Sequence, residues 1–128
     1  MKLLGDTVNA IDIFNGLQNE RQLLRQFRAL SEQQLLLLDA EDLAALKHLM
    51  DLRADLLLEL RAIESTLKTW IDQIRTNPTI SSEVLTQLRA INDEIVQIGN
   101  QIIDIDEQTD WWLELLAKEN RINLECGD

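Results

Sequence analysis

Nine positions near the C-terminal end constrain this chain most. Leu88, Ile91, Ile95, Ile98, Ile102, Ile105, Thr109, Trp112 and Leu116 alternate spacings of three and four. A strand repeats every two residues, so this spacing fits only a helix that buries one stripe. The rest of the chain agrees. One proline and four glycines in 128 residues, with abundant Leu, Gln, Glu and Arg, predict helix throughout.

Two stretches punctuate the chain. In "RTNPTISSE", residues 75–83, Asn77-Pro78 stops a helix and Ser81 or Ser82 can cap the next, with Glu83 near its positive end. In "LLDAEDLAAL", Asp39 can cap a new helix with Asp42 three residues on, although one bent helix through Asp39 is the rival. The expected fold is all-α: one domain over 1–128, an antiparallel bundle of three long helices at roughly 8–38, 40–76 and 82–122. Helix 1 is expected to bury Leu17, Leu23, Leu24, Phe27, Leu30, Leu37 and Leu38, with Leu36 on its back. Helix 2 is expected to bury Leu46, Leu49, Leu56, Leu60, Ile63, Leu67, Ile71 and Ile74. Gly99, beside the helix 3 stripe, is expected to permit a close helix approach.

Chemistry is excluded more firmly than it is suggested. Net charge is −11, and residues 83–128 carry 11 acidic groups against 3 basic ones. Nucleic acid and anionic membrane surfaces are therefore poor partners. The acidity serves either as a solvated surface or to steer a basic or neutral partner. Uninterrupted apolar runs reach only four residues, at 35–38, so no membrane insertion is expected, and "MKLLGDTVNAI" does not read as a signal peptide. The single cysteine, Cys126, has no internal partner, which fits a cytoplasmic protein. His48 has no Glu three residues before it, and no phosphate loop, catalytic triad or metal-ligand cluster occurs, so neither catalysis nor a cofactor or metal is expected. Arg53 falls inside the helix 2 apolar stripe; it either snorkels from the edge or meets a ligand anion or partner carboxylate.

The adjacent tryptophans carry the functional question. Helical neighbours point about 100° apart, so Trp111 cannot share the stripe that Trp112 continues. Trp111, Leu115, Lys118 and Ile122 form a second stripe spaced 4, 3, 4, and Val96 and Ile103 form a further off-stripe pair. Either the chain covers this second face itself, by helices 1 and 2 flanking helix 3 or by the segment "KLLGDTV", or a partner helix or second subunit does. Trp111, Leu115, Lys118, Ile122 and Ile103 are the candidate partner-binding residues.

Two resemblances bear on function. "IIDIDEQTDWWLELLAKENRI" looks like the first helix of the all-helical chorismate mutases, but Lys118 and Glu119 stand where that family has its arginine. "LLRQFRALSEQQLLLLDAEDLAALKHLMDLRADLLLELRAIE", residues 23–64, resembles the FlgN-type flagellar export chaperones and their FliT-like relatives, small acidic all-helical proteins of the cytoplasm. "LRAINDEIVQIGNQIIDIDEQTDWWLELL" stands where that family has its last long helix. This second resemblance implies a chaperone that binds the amphipathic C-terminal helices of hook–filament junction or cap subunits before secretion. The alternative is a homodimeric coiled-coil scaffold or adaptor.

Overall fold

A computed structural model describes residues 10–76 and 81–119. They form three helices: α1 (Ala10–Asp39), α2 (Leu43–Thr76) and α3 (Ser82–Lys118). At 1.5 Å per residue these are about 45, 51 and 56 Å long. No strand occurs among the described residues. The chain is all-α, as expected.

Cross-helix contacts give the directions. Gly16 faces Leu67 while Gln34 bonds Arg53, so α2 runs antiparallel to α1. Arg21 bonds Glu94 while Arg28 bonds Gln101, so α3 runs parallel to α1. The topology is up-down-up.

The α1–α2 join is a true break. Asp42 N–H donates to the Leu37 carbonyl and Glu41 N–H to the Leu38 carbonyl, which closes a Schellman turn around Glu41 at φ 54°. A glutamate in this left-handed region costs about 1–2 kcal/mol where glycine would cost little. The capping residue corrects the sequence reading. Asp39 is the last residue of α1, and α2 is capped by Asp42, whose carboxylate accepts from the Ala45 N–H at 3.2 Å. Ser81 caps α3, accepting from the Val84 N–H at 3.2 Å, with Glu83 in the first turn. Asn77-Pro78 lies outside the described residues, and α3 ends at Lys118 with Glu119 as its C-cap, short of the expected 122.

α1 is the middle helix. It packs on both α2 and α3, whereas no Cα of α2 comes within 8 Å of one of α3. Neither α1 nor α2 covers the second face of α3, where Trp111 is 59% exposed. Three buried clusters run along α1. At one end Ile13 and Leu17 meet Leu67, Leu88, Ile91 and Ile95. In the middle Phe27 meets Leu60, Ile98 and Ile102. At the other end Leu38 meets Leu46 and Leu116, with Trp112 packed against them. Each such side chain contributes about 1.5–3 kcal/mol by leaving water.

The α3 stripe is buried as its spacing predicts, with Ile105 and Trp112 half-buried. On α2, Leu46, Leu49, Leu60 and Leu67 are buried and Leu56, Ile63 and Ile71 half-buried; the side chain of Ile74 is not among those described. α1 departs most. Leu23, Leu24, Leu30 and Leu37 are only half-buried, while Glu20, Ser31 and Gln34 are buried.

The glycine that permits close approach is Gly16, not Gly99. A Cβ at Gly16 would lie 2.6 Å from Leu67 Cδ2, whereas one at Gly99 would meet nothing within 4 Å. Gly99 shares the face of α3 that carries Asp106, seven residues on, and no neighbour presses on it.

Candidate functional site

Three places on this frame deserve chemical description: the tryptophan face, the Arg53 junction and a cleft over Glu20.

Trp111 is 59% exposed. Its ring stands edge-on to Trp112, with centroids 5.4 Å apart and planes at 79°. This geometry puts the positive edge of one ring against the negative face of the other. Trp112 is anchored against the Leu38, Leu46 and Leu116 cluster, so it holds Trp111 from behind. One turn on, Leu115 is half-buried and Lys118 is exposed. Lys118 also lies in the last turn of α3, where its charge complements the helix dipole. Ile122, the last of the expected stripe, lies outside the described residues.

Ile103 is 55% exposed and Val96, seven residues before it, 52%. Eight residues separate Ile103 from Trp111, a rotation of about 80° on a helix. Asp106, three residues after Ile103, reaches α2, so Ile103 and Val96 lean toward the α2 side of α3. The expected set thus divides into two exposed patches: Trp111, Leu115 and Lys118 on one, Ile103 with Val96 on the other.

Arg53 turns inward, contrary to both sequence readings. Its Nη2 donates to Asp106 Oδ1 at 2.8 Å and Oδ2 at 3.1 Å, and its Nη1 donates to Gln34 Oε1 at 2.7 Å. The guanidinium carbon lies 4.4 Å from the centre of the Phe27 ring. One side chain therefore ties α2 to both other helices across the space they leave open. The planar fork suits two acceptors at once, which a lysine could not match. Its Nε is buried without a hydrogen-bond partner.

Glu20, two turns before Phe27 on α1, is only 8% exposed. Burial raises its pKa above the ordinary carboxylate value, and the Glu64 charge raises it further. It lines a cleft of about 350 Å³ to which all three helices contribute. The sequence reading passed over Glu20, because a glutamate among α1's polar residues looks like solvent-facing surface. The available signal was its spacing from Leu17, Phe27, Gln34 and Leu38, which puts it on the buried line.

His48 is exposed, as expected. Among the described residues no helix is long and apolar enough to cross a membrane, and no group of three or more His, Cys, Asp or Glu could hold a metal ion. Comparison with protein-family models, with curated proteins and with solved structures finds no match to this chain.

Proposed function

We propose that this protein is a non-catalytic binding module for amphipathic helices, acting in the cytoplasm as an export chaperone of the kind that residues 23–64 resemble. Its clients are the C-terminal helices of flagellar hook–filament junction or cap subunits, which expose apolar heptads until they assemble. The observation that supports the reading is Trp111: a large aromatic, mostly exposed, in edge-on contact with Trp112 and followed by Leu115 one turn on. Rigid aromatics flanked by aliphatics are the usual anchors of helix recognition.

The test is a fluorescence titration with synthetic C-terminal helices of junction and cap subunits. Binding should move the tryptophan emission, and Trp111→Ala should weaken it by roughly 2 kcal/mol. Sedimentation of the free protein separates the rival scaffold reading, which is favoured by the exposed Leu43, Met50 and Leu57 spaced seven apart on α2. A tight dimer that hides Trp111, or a Trp111→Ala variant with full client affinity, would sink the chaperone reading.

A further inference from the structure

Because α2 and α3 both rest on α1 and no Cα of one comes within 8 Å of the other, a groove runs between them along one side of the bundle. Arg53 bridges it near one end. Farther along it opens into the cleft over Glu20. Leu17, Leu67 and Ile71 supply apolar walls, and Glu20 and Glu64 supply carboxylates. Glu20 belongs to the middle helix and is the deepest of them. It makes no hydrogen bond or ion pair in the described structure. Arg21, its neighbour on α1, is taken by Glu94 and Gln18. Its oxygens reach the open cleft, while burial of the side chain still disfavours its charge, which a cation delivered to the cleft would stabilise.

The apolar surface continues from the cleft along the same groove. Val96 stands one turn beyond the cleft-lining Asn92 on α3, and Ile103 follows seven residues later. On α2, Leu57 lies one turn beyond Arg53, with Met50 seven residues before it; both are exposed. Two exposed apolar pairs spaced by seven, on facing antiparallel helices, match the stripe of a helix laid between them. The chain's charge of −11 favours a basic occupant.

We propose that the α2–α3 groove receives a helix of a partner protein, and that one lysine or arginine of that helix enters the cleft. Its methylene stem lies between Leu17, Leu67 and Ile71, and its cation between Glu20 and Glu64. The apolar face of the same helix covers Leu57, Val96 and Ile103. This site is separate from the Trp111 face and does not rest on the chaperone reading.

Affinity depends on pH with a fixed sign. Besides Glu64, the groups facing Glu20 are Lys68 and Asp72 from α2 and the uncharged Asn92 from α3. Burial favours protonated Glu20 in the free protein, and the incoming cation favours the carboxylate. Binding therefore releases a proton, and affinity rises with pH through the titration of Glu20.

A display library of amphipathic helices, with apolar heptad positions held and the rest randomised, is selected against the full chain and against Glu20→Gln. The wild type should select helices with one invariant lysine or arginine. Changing that residue to glutamine in the best binder should weaken it at least tenfold at neutral pH. Glu20→Gln should remove that difference, and Ile103→Asp should weaken both peptides. Carboxyl NMR of Glu20 should show its pKa falling on binding. The proposal is overturned if no basic position is selected, or if binders ignore Ile103→Asp. Equal saturation of the cleft by free butylguanidinium would also overturn it, by making this a small-molecule site. So would a Glu20 pKa that is ordinary in the free protein and rises in Lys68→Met, because the chain's own lysine would then be the cation.

Discussion

Arg53 offers the sharpest test of how the three helices are held. Consider Arg53→Met, which keeps the stem over Phe27 and removes the guanidinium. Two acceptors lose their donor, and their fates differ. Asp106 is 41% exposed, against 15% for Arg53, so water can replace the lost bonds. The ion pair thus belongs between the exposed case, worth about 0–1 kcal/mol, and the buried case, where breaking it costs about 3–5. Gln34 is buried, and its amide oxygen accepts from Arg53 at 2.7 Å. An orphaned buried acceptor costs about 1–3 kcal/mol. Arg53→Met should therefore destabilise the fold by about 2–3 kcal/mol, much of it through Gln34. Gln34→Leu alone should cost about 1 kcal/mol, because Arg53 keeps Asp106. The double variant has no orphan and should be more stable than the sum of the single effects by at least about 1 kcal/mol. Urea unfolding of the four proteins at one pH gives the cycle. Additivity within about 0.5 kcal/mol would mean that Arg53 and Gln34 act independently, and the account of Arg53 as a three-helix tie would fail.

The two helical glycines should respond with opposite signs. Gly99→Ala meets open space and should gain up to about 1 kcal/mol of helix propensity, whereas Gly16→Ala drives a methyl into buried Leu67 and should lose about 1 kcal/mol net; equal melting shifts would refute the packing described. Trp112→Ala should cost about 2–3 kcal/mol because the ring packs on a buried cluster, while Trp111→Ala forfeits mainly an edge contact of about 0.5–1.5; thermal melts showing the reverse order would make Trp111 the structural ring. Glu20 has a raised folded pKa, so the native state holds its proton more tightly and stability falls as pH rises through that pKa. Relative to wild type, Glu20→Gln should therefore gain stability as pH rises above the ordinary glutamate pKa of about 4.3, measured as denaturation midpoints, and a pH-independent difference would refute the desolvation of that carboxylate.

The α3 stripe was legible in the sequence because α3 presses one side against its neighbours. A single buried arc produces a clean alternation of three and four. α1 was misread for the complementary reason. A helix between two others is buried over a wide arc, and leucines at its edges, such as Leu23 and Leu30, are covered only in part. The break near residue 40 could be seen, but its cap could not be assigned. Asp39 and Asp42 both suit an N-cap, and the choice depends on Glu41 adopting a positive φ that its side chain disfavours. Gly99 carried no sign that α2 would stand off from it. Arg53 was readable as an anomaly in an apolar stripe, while its partners, 19 and 53 residues away, were not.

The polar residues of α1 follow from its place in the middle. Glu20, Ser31 and Gln34 share the line of α1 that carries Phe27 and Leu38. That line faces the space between α2 and α3, where packing is least able to fill volume with aliphatic side chains. Each polar group there needs its own solution. Ser31 needs no neighbour, because its hydroxyl donates to the Phe27 carbonyl one turn back at 2.9 Å. Gln34 depends on Arg53, the one long side chain that crosses from α2 at that level. Glu20 makes no ion pair among the described residues, although Lys68 lines the same open cleft. Burial and the Glu64 charge raise the Glu20 pKa, so ionising it opposes folding. The proposed partner helix would bring a cation to that carboxylate and cover the exposed Leu57, Val96 and Ile103 of the same groove.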